Sequence, residues 1–275
     1  MPHAKSSNIT FSSAIVFIAA CALTTGVTAQ SAAQSRCDKP VYLTLDTGHM
    51  EVAPLVADVL KRNQVRVTFF AANERTVTGD GSLGNYWSLW WKARGAEGHE
   101  FASHTYDHVY WRSDIKGVKP TFRIKPTAGA FEGREFTYDA AKYCTQIDQA
   151  AQRLADFTGR KTLPLFRAPG GFTSPRLLEV AQSCGYAHVG WSAAGFLGDE
   201  LPSEKFSNDM LLKKALKDIK AGDILMGHLG IWSRKDPYMP ANLEPLIVGL
   251  KERGFCFETL RNHPAYKDWI ASHGG

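Results

Sequence analysis

The chain lacks close CxxC pairs among its 5 cysteines, and it lacks an apolar run long enough to cross a bilayer. It also has no internal repeat and no low-complexity linker, and its basic residues do not gather into a stripe. Without paired cysteine spacing, a cysteine zinc knuckle is excluded. The apolar run from about Ala14 to Leu23 falls well short of the ~20 residues a transmembrane helix needs. Dispersed lysine and arginine leave no electrostatic footprint for nucleic acid. With no linker to divide it, the chain reads most simply as one domain from about residue 38 to 265.

What is present is ordinary for a globular protein: 275 residues, 44% hydrophobic and 21% charged, enough for one barrel-sized core. Residues 1–29 have the form of an export signal, with Lys5 in a polar start, then the apolar run, then Val27-Thr28-Ala29 as a small-x-small end. Ile18-Ala19-Ala20-Cys21 also has the form of a lipoprotein box, so anchoring at Cys21 is an alternative to free export. Cleavage after Ala29 leaves Cys37, Cys144, Cys184 and Cys256, an even set that an oxidising periplasmic or extracellular compartment permits to pair. Sequence leaves the pairing open. Net charge is +5, and +4 once Lys5 is removed, a mild excess compatible with an anionic wall polymer.

From residue 41 onward, short β-rich runs alternate with helical patterns, which predicts an α/β fold around a parallel sheet. The runs are Val41–Asp46, Val65–Phe70, His99–Ser103, Leu163–Arg167, Tyr186–Trp191, Asp223–Gly227 and Phe255–Leu260. Between them, helical spacing predicts helices over Val52–Arg62, Tyr138–Phe157, Pro175–Ser183, about Asp209–Lys220 and Leu243–Arg253. Ser174 before Pro175 is a cap followed by a proline just inside. The stretches 73–98 and 109–137 exceed a simple barrel turn and read as inserted loops with some helix.

The unusual polar residues sit at strand ends. Asp46 closes the first run, His104 follows the third, Arg167 ends the fourth, Trp191 ends the fifth and His228 follows the sixth. In a parallel barrel such ends share one rim, where active sites are placed. Asp46 after the apolar VYLTL must find a partner or change its pKa. His104 and His108 in HTYDH have the i, i+4 spacing that puts two imidazoles on one helical face, so they could hold zinc, or be only a structural pair. FRAPGG places Arg167 before Pro169 and two glycines, of which Gly170 lets the backbone approach a ligand; a tight turn with a surface arginine is the plainer alternative. His228, after the apolar DILM, reads either as a working imidazole or as a satisfied core histidine.

Together and in this order, TLDTG, HTYDH, FRAPGG, the stretch around Trp191 and LMGH resemble the motifs of the NodB-homology polysaccharide deacetylases, carbohydrate esterase family 4. The resemblance spans nearly the whole chain after the leader. It implies a single distorted (β/α)7 barrel and a metal-dependent removal of N-acetyl groups from peptidoglycan, a chitin-like polymer or poly-N-acetylglucosamine. It also implies roles. Asp46 is the general base, His104 and His108 are ligands of a divalent ion such as zinc, Arg167 orients Asp46, and His228 is the general acid. Pro169, Gly170 and Trp191 line the substrate site, and Trp111 and Trp232 are groove candidates for stacking on sugar.

The sequence departs from the family pattern at Thr47, where the family places a metal-binding aspartate. A neutral hydroxyl removes a charge from the site and predicts weaker ion binding. His49 and Glu51, just downstream, are the nearest residues able to compensate, although loop side chains of these types are commonly only solvated. The acidic residues usual behind the tryptophan are missing; Asp199 lies further on and reads as a turn residue before it reads as a support for a histidine. Two alternatives stand beside deacetylation, a sugar-binding relic without catalysis and a deacetylase of O-acetyl esters. Trp87, Trp90 and Trp91 have helical spacing and are expected to be buried.

Overall fold

Side-chain alternation along β1 (Pro40–Asp46) sets the architecture. Val41, Leu43 and Leu45 point outward into a core shared with the helices α1 (Ala53–Arg62) and α6 (Tyr238–Glu252). Tyr42 points the other way, into an inner cluster with Phe70, Ala102, Leu165 and Val189. Thr44 and Asp46 have the parity of Tyr42, so a strand buried on both faces delivers a carboxylate to the inside at its last residue.

The computed structural model describes His3 and residues 37–275; the export signal over 1–29 and the lipoprotein box at Cys21 lie outside the described residues. Around β1, seven strands form one parallel sheet. The others are β2 (Thr68–Ala71), β3 (Glu100–Ser103), β7 (Leu165–Phe166), β8 (Ala187–His188), β9 (Ile224–His228) and β10 (Cys256–Phe257). Each falls within or against one of the seven runs expected from sequence. β1 pairs with β2, β9 and β10, and the order continues through β3 and β7 to β8. Between β8 and β9 the sheet curls together through irregular backbone, with Ser192 N–H donating to Ile224 O at 3.0 Å and Leu197 N–H to Met226 O at 3.2 Å. This is the distorted form of a (β/α) barrel.

The helices obey their local signals. Ser174 Oγ accepts from Leu177 N–H to cap α4 (Pro175–Ser183), and Ser207 does the same for α5 (Asn208–Asp218). Asp139 caps α3 (Ala140–Thr158) and is itself extended, so the helix expected from Tyr138 starts two residues later. A short helix α2 (Ser88–Ala96) occupies the first insertion and buries Trp91 completely. A last helix, α7 (Lys267–Ser272), sends Ile270 into the inner cluster. None of the described helices is long and apolar enough to cross a membrane.

The second insertion differs from the expected loop with some helix. It is an antiparallel sheet of β4 (Val109–Asp114), β5 (Thr121–Pro126) and β6 (Phe136–Asp139). The reason is a period of two in TFRIKP, where Phe122, Ile124 and Pro126 are buried, the first two against α3 and α4, while Arg123 is exposed. Two disulfides, Cys37–Cys256 and Cys144–Cys184, settle the pairing that sequence left open. The first ties the segment just before β1 to β10, and the second joins α3 to the end of α4, each contributing about 2–5 kcal/mol by restricting the unfolded chain.

Candidate active site

The rim at the strand C-termini gathers the polar residues that the sequence places at strand ends. Asp46 is 2% exposed and Arg167 is fully buried, so both charges need partners. They find each other at 2.6 Å, Nη1 donating to Oδ1. The rest of the guanidinium is spent on Thr44 Oγ1, Val189 O and Gly190 O, and its face lies 4.2 Å over the Phe70 ring. A planar fork with four hydrogen bonds from its five N–H donors holds the carboxylate in one orientation.

The second oxygen of Asp46 faces His104 Nε2 at 3.6 Å. His104 Nδ1 lies 2.9 Å from Arg167 O, and a carbonyl only accepts, so Nδ1 carries the hydrogen and Nε2 presents a lone pair. Burial, with the neighbouring His108 ring, holds this imidazole well below the ordinary histidine range, so the ring is neutral. His108 stands beside it, ring centroids 4.8 Å apart. Its Nδ1 meets Thr127 Oγ1, whose own hydrogen points to the His108 carbonyl, so here too Nδ1 donates and Nε2 is free. The two rings are not brought together by a helical turn as expected. HTYDH is a tight turn after β3, with Thr105 at φ 61° and His108 at φ 49°. A turn that reverses the chain and a helix that climbs one turn bring i and i+4 equally close.

Opposite, His228 ends β9 in register with Asp46 on β1. Its Nδ1 is 3.0 Å from Asp199 Oδ1, and its backbone N–H donates to Asp199 Oδ2 at 2.6 Å. Asp199, first read as a turn residue, is therefore the buried support of this histidine; chain distance hid it, because only the fold brings the segment after Trp191 against β9. Burial opposes a charge on the ring, but the Asp199 carboxylate, with Asp46 and Glu200 behind it, outweighs burial and raises the pKa to about 10. The ring is charged at neutral pH. Its pairing stabilises the fold fully below about pH 6.5, where the unfolded ring titrates, and this contribution is lost as pH rises through about 10. In Asp199→Asn, burial is left without its counter-charge, and an NMR titration is expected to show the ring pKa falling to or below the ordinary 6.5.

Around these groups stand Pro169, Gly170 and Trp191. Pro169 is buried, and Gly170 has φ 65° with Tyr110 and Phe172 ring carbons where a Cβ would stand, so only glycine fits. Trp191 packs on Gly171 and over Arg167. Trp232 is 64% exposed beside His49. Trp111 is different, since it packs on the cluster of Phe122, Ile124 and Tyr143 with its indole N–H on Asp114. Its neighbour Tyr110 takes the place by the histidines, ring 5.2 Å from His108, because successive residues of β4 face opposite sides.

His49 and Glu51, the downstream residues able to compensate for Thr47, are engaged otherwise. Glu51 is exposed, and His49 Nδ1 accepts from Glu51 N–H while its ring packs under Trp232. The buried Thr47 hydroxyl instead donates to Glu74 at 2.6 Å, and the other Glu74 oxygen lies 3.9 Å from His108 Nδ1. Among the described residues no three His, Cys, Asp or Glu side chains stand ready as a closed metal cage. A surface cavity lined by Thr145, Asp148, Lys161, Tyr186 and His273 lies elsewhere and touches none of these groups.

Comparison with known proteins decides the family. The profile described as polysaccharide deacetylase matches residues 33–189, more than half of the chain. The chain belongs to the polysaccharide deacetylase family. A chitooligosaccharide deacetylase of Azorhizobium caulinodans is 25% identical over 85% of this chain and 99% of its own length. A peptidoglycan-N-acetylglucosamine deacetylase of Bacillus cereus is 25% identical over 84% and 90%. Among solved structures, a family 4 acetyl xylan esterase from Clostridium thermocellum with a cobalt ion aligns at TM-score 0.62 and 20% identity over 84% of this chain and 92% of that one. A CE4 family pseudoenzyme from Bacillus anthracis aligns at TM-score 0.57 and 19% identity over 82% and 65%. These structural likenesses establish the shared deacetylase fold.

Proposed function

We propose that this deacetylase-family chain hydrolyses N-acetyl groups on an N-acetylated polysaccharide, with a divalent ion at His104 and His108. One observation carries the reading: Asp46, fixed by Arg167, turns its second oxygen toward a histidine lone pair, across the rim from a charged histidine. The donor set fits a cation. Both rings commit Nδ1 to an oxygen and keep Nε2, and an Asp46 oxygen lies 3.6 Å from the Nε2 of His104. When bound, such an ion, with zinc the usual choice for imidazole nitrogens, supplies Lewis acidity for the acetamide carbonyl and the water that attacks it.

The residues of the chain divide the remaining work. Asp46 takes the proton from the attacking water at Oδ2, since Oδ1 is occupied by Arg167. His228 gives its proton to the departing amine, and Asp199 keeps that proton in place up to about pH 10. Tyr110, Trp191, Phe172 and Trp232 border an open rim where ring faces suit sugars. The activities printed for the chitooligosaccharide and peptidoglycan relatives support the polymer class. In the same reading residues 1–29 direct export, 38–265 are the catalytic domain, and the protein works in the periplasm or outside the cell, the oxidising setting that the disulfides suit.

Thr47 favours a second reading, a sugar-binding protein without turnover. The two separate on purified protein. Deacetylation predicts acetate release from N-acetylated oligosaccharides or peptidoglycan, lost on chelation and regained with zinc or cobalt. Full turnover by a metal-free preparation would remove the ion from the reaction, and glycan binding with no acetate from any polymer would support the non-catalytic reading.

A further inference from the structure

We infer that the exposed face of the β4–β5 hairpin is a cationic docking surface for carboxylates carried by the N-acetylated glycan strand, so that the chain favours an acidic polymer of the peptidoglycan kind over a neutral, chitin-like one. The inference rests on the deacetylase reading above and deepens it by naming the substrate class.

The excess charge of the chain is concentrated in this hairpin. Over residues 109–126, Arg112, Lys116, Lys119, Arg123 and Lys125 stand against a single acid, Asp114, a net +4 where the whole chain nets +5. The remaining residues are balanced to within one charge. No two of the five cations are adjacent in sequence, so no basic run marks them, and antiparallel pairing is what gathers them. Four are exposed and Lys125 is partly so. Among the described residues none of the five makes an ion pair. Asp114 turns its carboxylate to Trp111 Nε1–H at 3.1 Å and to Ser174 O–H at 2.7 Å rather than to a cation. An ordinary solvated face mixes both signs, whereas a face of one sign draws in ligands of the other.

Pairing also ties this face to the candidate site. Phe122 and Ile124 are buried against α3 and α4, so alternation along β5 turns Arg123 and Lys125 outward. Lys125 pairs in register with Tyr110, whose ring lies 5.2 Å from His108, and so stands beside the rim. Arg112 is the extra residue of a bulge in β4, and its guanidinium lies 5.6 Å over the Tyr110 ring. Arg123 comes next, between Ser113 on β4 and Thr137 on β6, with no acid opposite it on either strand. Lys116 and Lys119 follow in the turn, roughly 20 Å from Tyr110 at the rise of a strand. The turn is held in place, because Arg176 of α4 donates to the carbonyls of Ile115, Gly117 and Val118 at 3.4, 2.8 and 2.9 Å. A fixed row of cations leading to the rim meets carboxylates repeated along a strand, and it gives a neutral strand no such gain.

The test compares two soluble N-acetylated strands of equal length on the full chain: peptidoglycan glycan strands, which carry carboxylates, and neutral N-acetylglucosamine oligomers. Calorimetry gives affinity and acetate release gives kcat and KM, each at low salt and at about 1 M, where charges are screened beyond ~3 Å. At low salt the charged strand is expected to bind about tenfold more tightly, and high salt to erase the difference. Combining Lys116→Gln, Lys119→Gln and Arg123→Gln is expected to erase it too, through KM and not kcat. Combining Lys116→Arg, Lys119→Arg and Arg123→Lys is expected to keep it, with circular dichroism showing both variants folded. Equal affinity of the unmodified chain for the two strands, or a preference that survives the neutralised variant, would overturn the inference and leave the deacetylase reading intact. Salt-sensitive binding of the charged strand with no acetate from either would keep the surface and overturn that reading instead.

Discussion

Acetate release by Asp46→Asn is expected to fall by about 10²–10⁴, the usual contribution of a positioned general base. The amide still offers an oxygen to Arg167 Nη1, so the neighbouring side chains need not move, but it cannot take a proton. Stability should fall too, by about 3 kcal/mol, the low end of the cost of breaking a buried ion pair, because the buried guanidinium loses its counter-charge while keeping three oxygen acceptors. Rate and melting temperature therefore need to be measured together at a temperature where the variant is folded. Binding of an N-acetylated oligosaccharide should persist. An unchanged rate in the folded variant would remove Asp46 as the base.

Arg167→Met is the larger test of stability. Four hydrogen bonds and a cation over Phe70 disappear, and Asp46 is left buried beside an uncharged thioether with no positive partner. The cost is about 3–5 kcal/mol, or roughly 6–20 °C in melting temperature for a domain of this size. Lysine does not repair it, since one ammonium on a flexible stem cannot meet Asp46, Thr44, Val189 and Gly190 together. Calorimetry of Arg167→Met and Arg167→Lys decides this. A melting temperature within a degree or two of the unmodified chain for both would mean that the network adds little to the fold.

Much of the barrel was legible because buried parallel strands must be apolar and end in something else. VYLTLD, DILMGH and PLFRAP each run apolar until a polar residue that cannot face the core reaches the rim. The β4–β6 sheet was less legible, because length alone marks an insertion and the alternation in TFRIKP covers only a few residues. HTYDH brought its two imidazoles together on a backbone other than the expected helix, since i, i+4 spacing is shared by a helical turn and by a turn with left-handed residues.

The order and chemistry of Asp46, His104, His108, Arg167 and His228 were written in the chain itself, because strand periodicity and the end of each apolar run are local properties. Tertiary structure alone decided that Asp199 holds His228, that Tyr110 rather than Trp111 stands by the histidines, and that Glu74 meets Thr47. These are contacts between segments far apart in sequence or between two faces of one strand. Such contacts depend on which strands pair and in what register, which no stretch of residues specifies by itself.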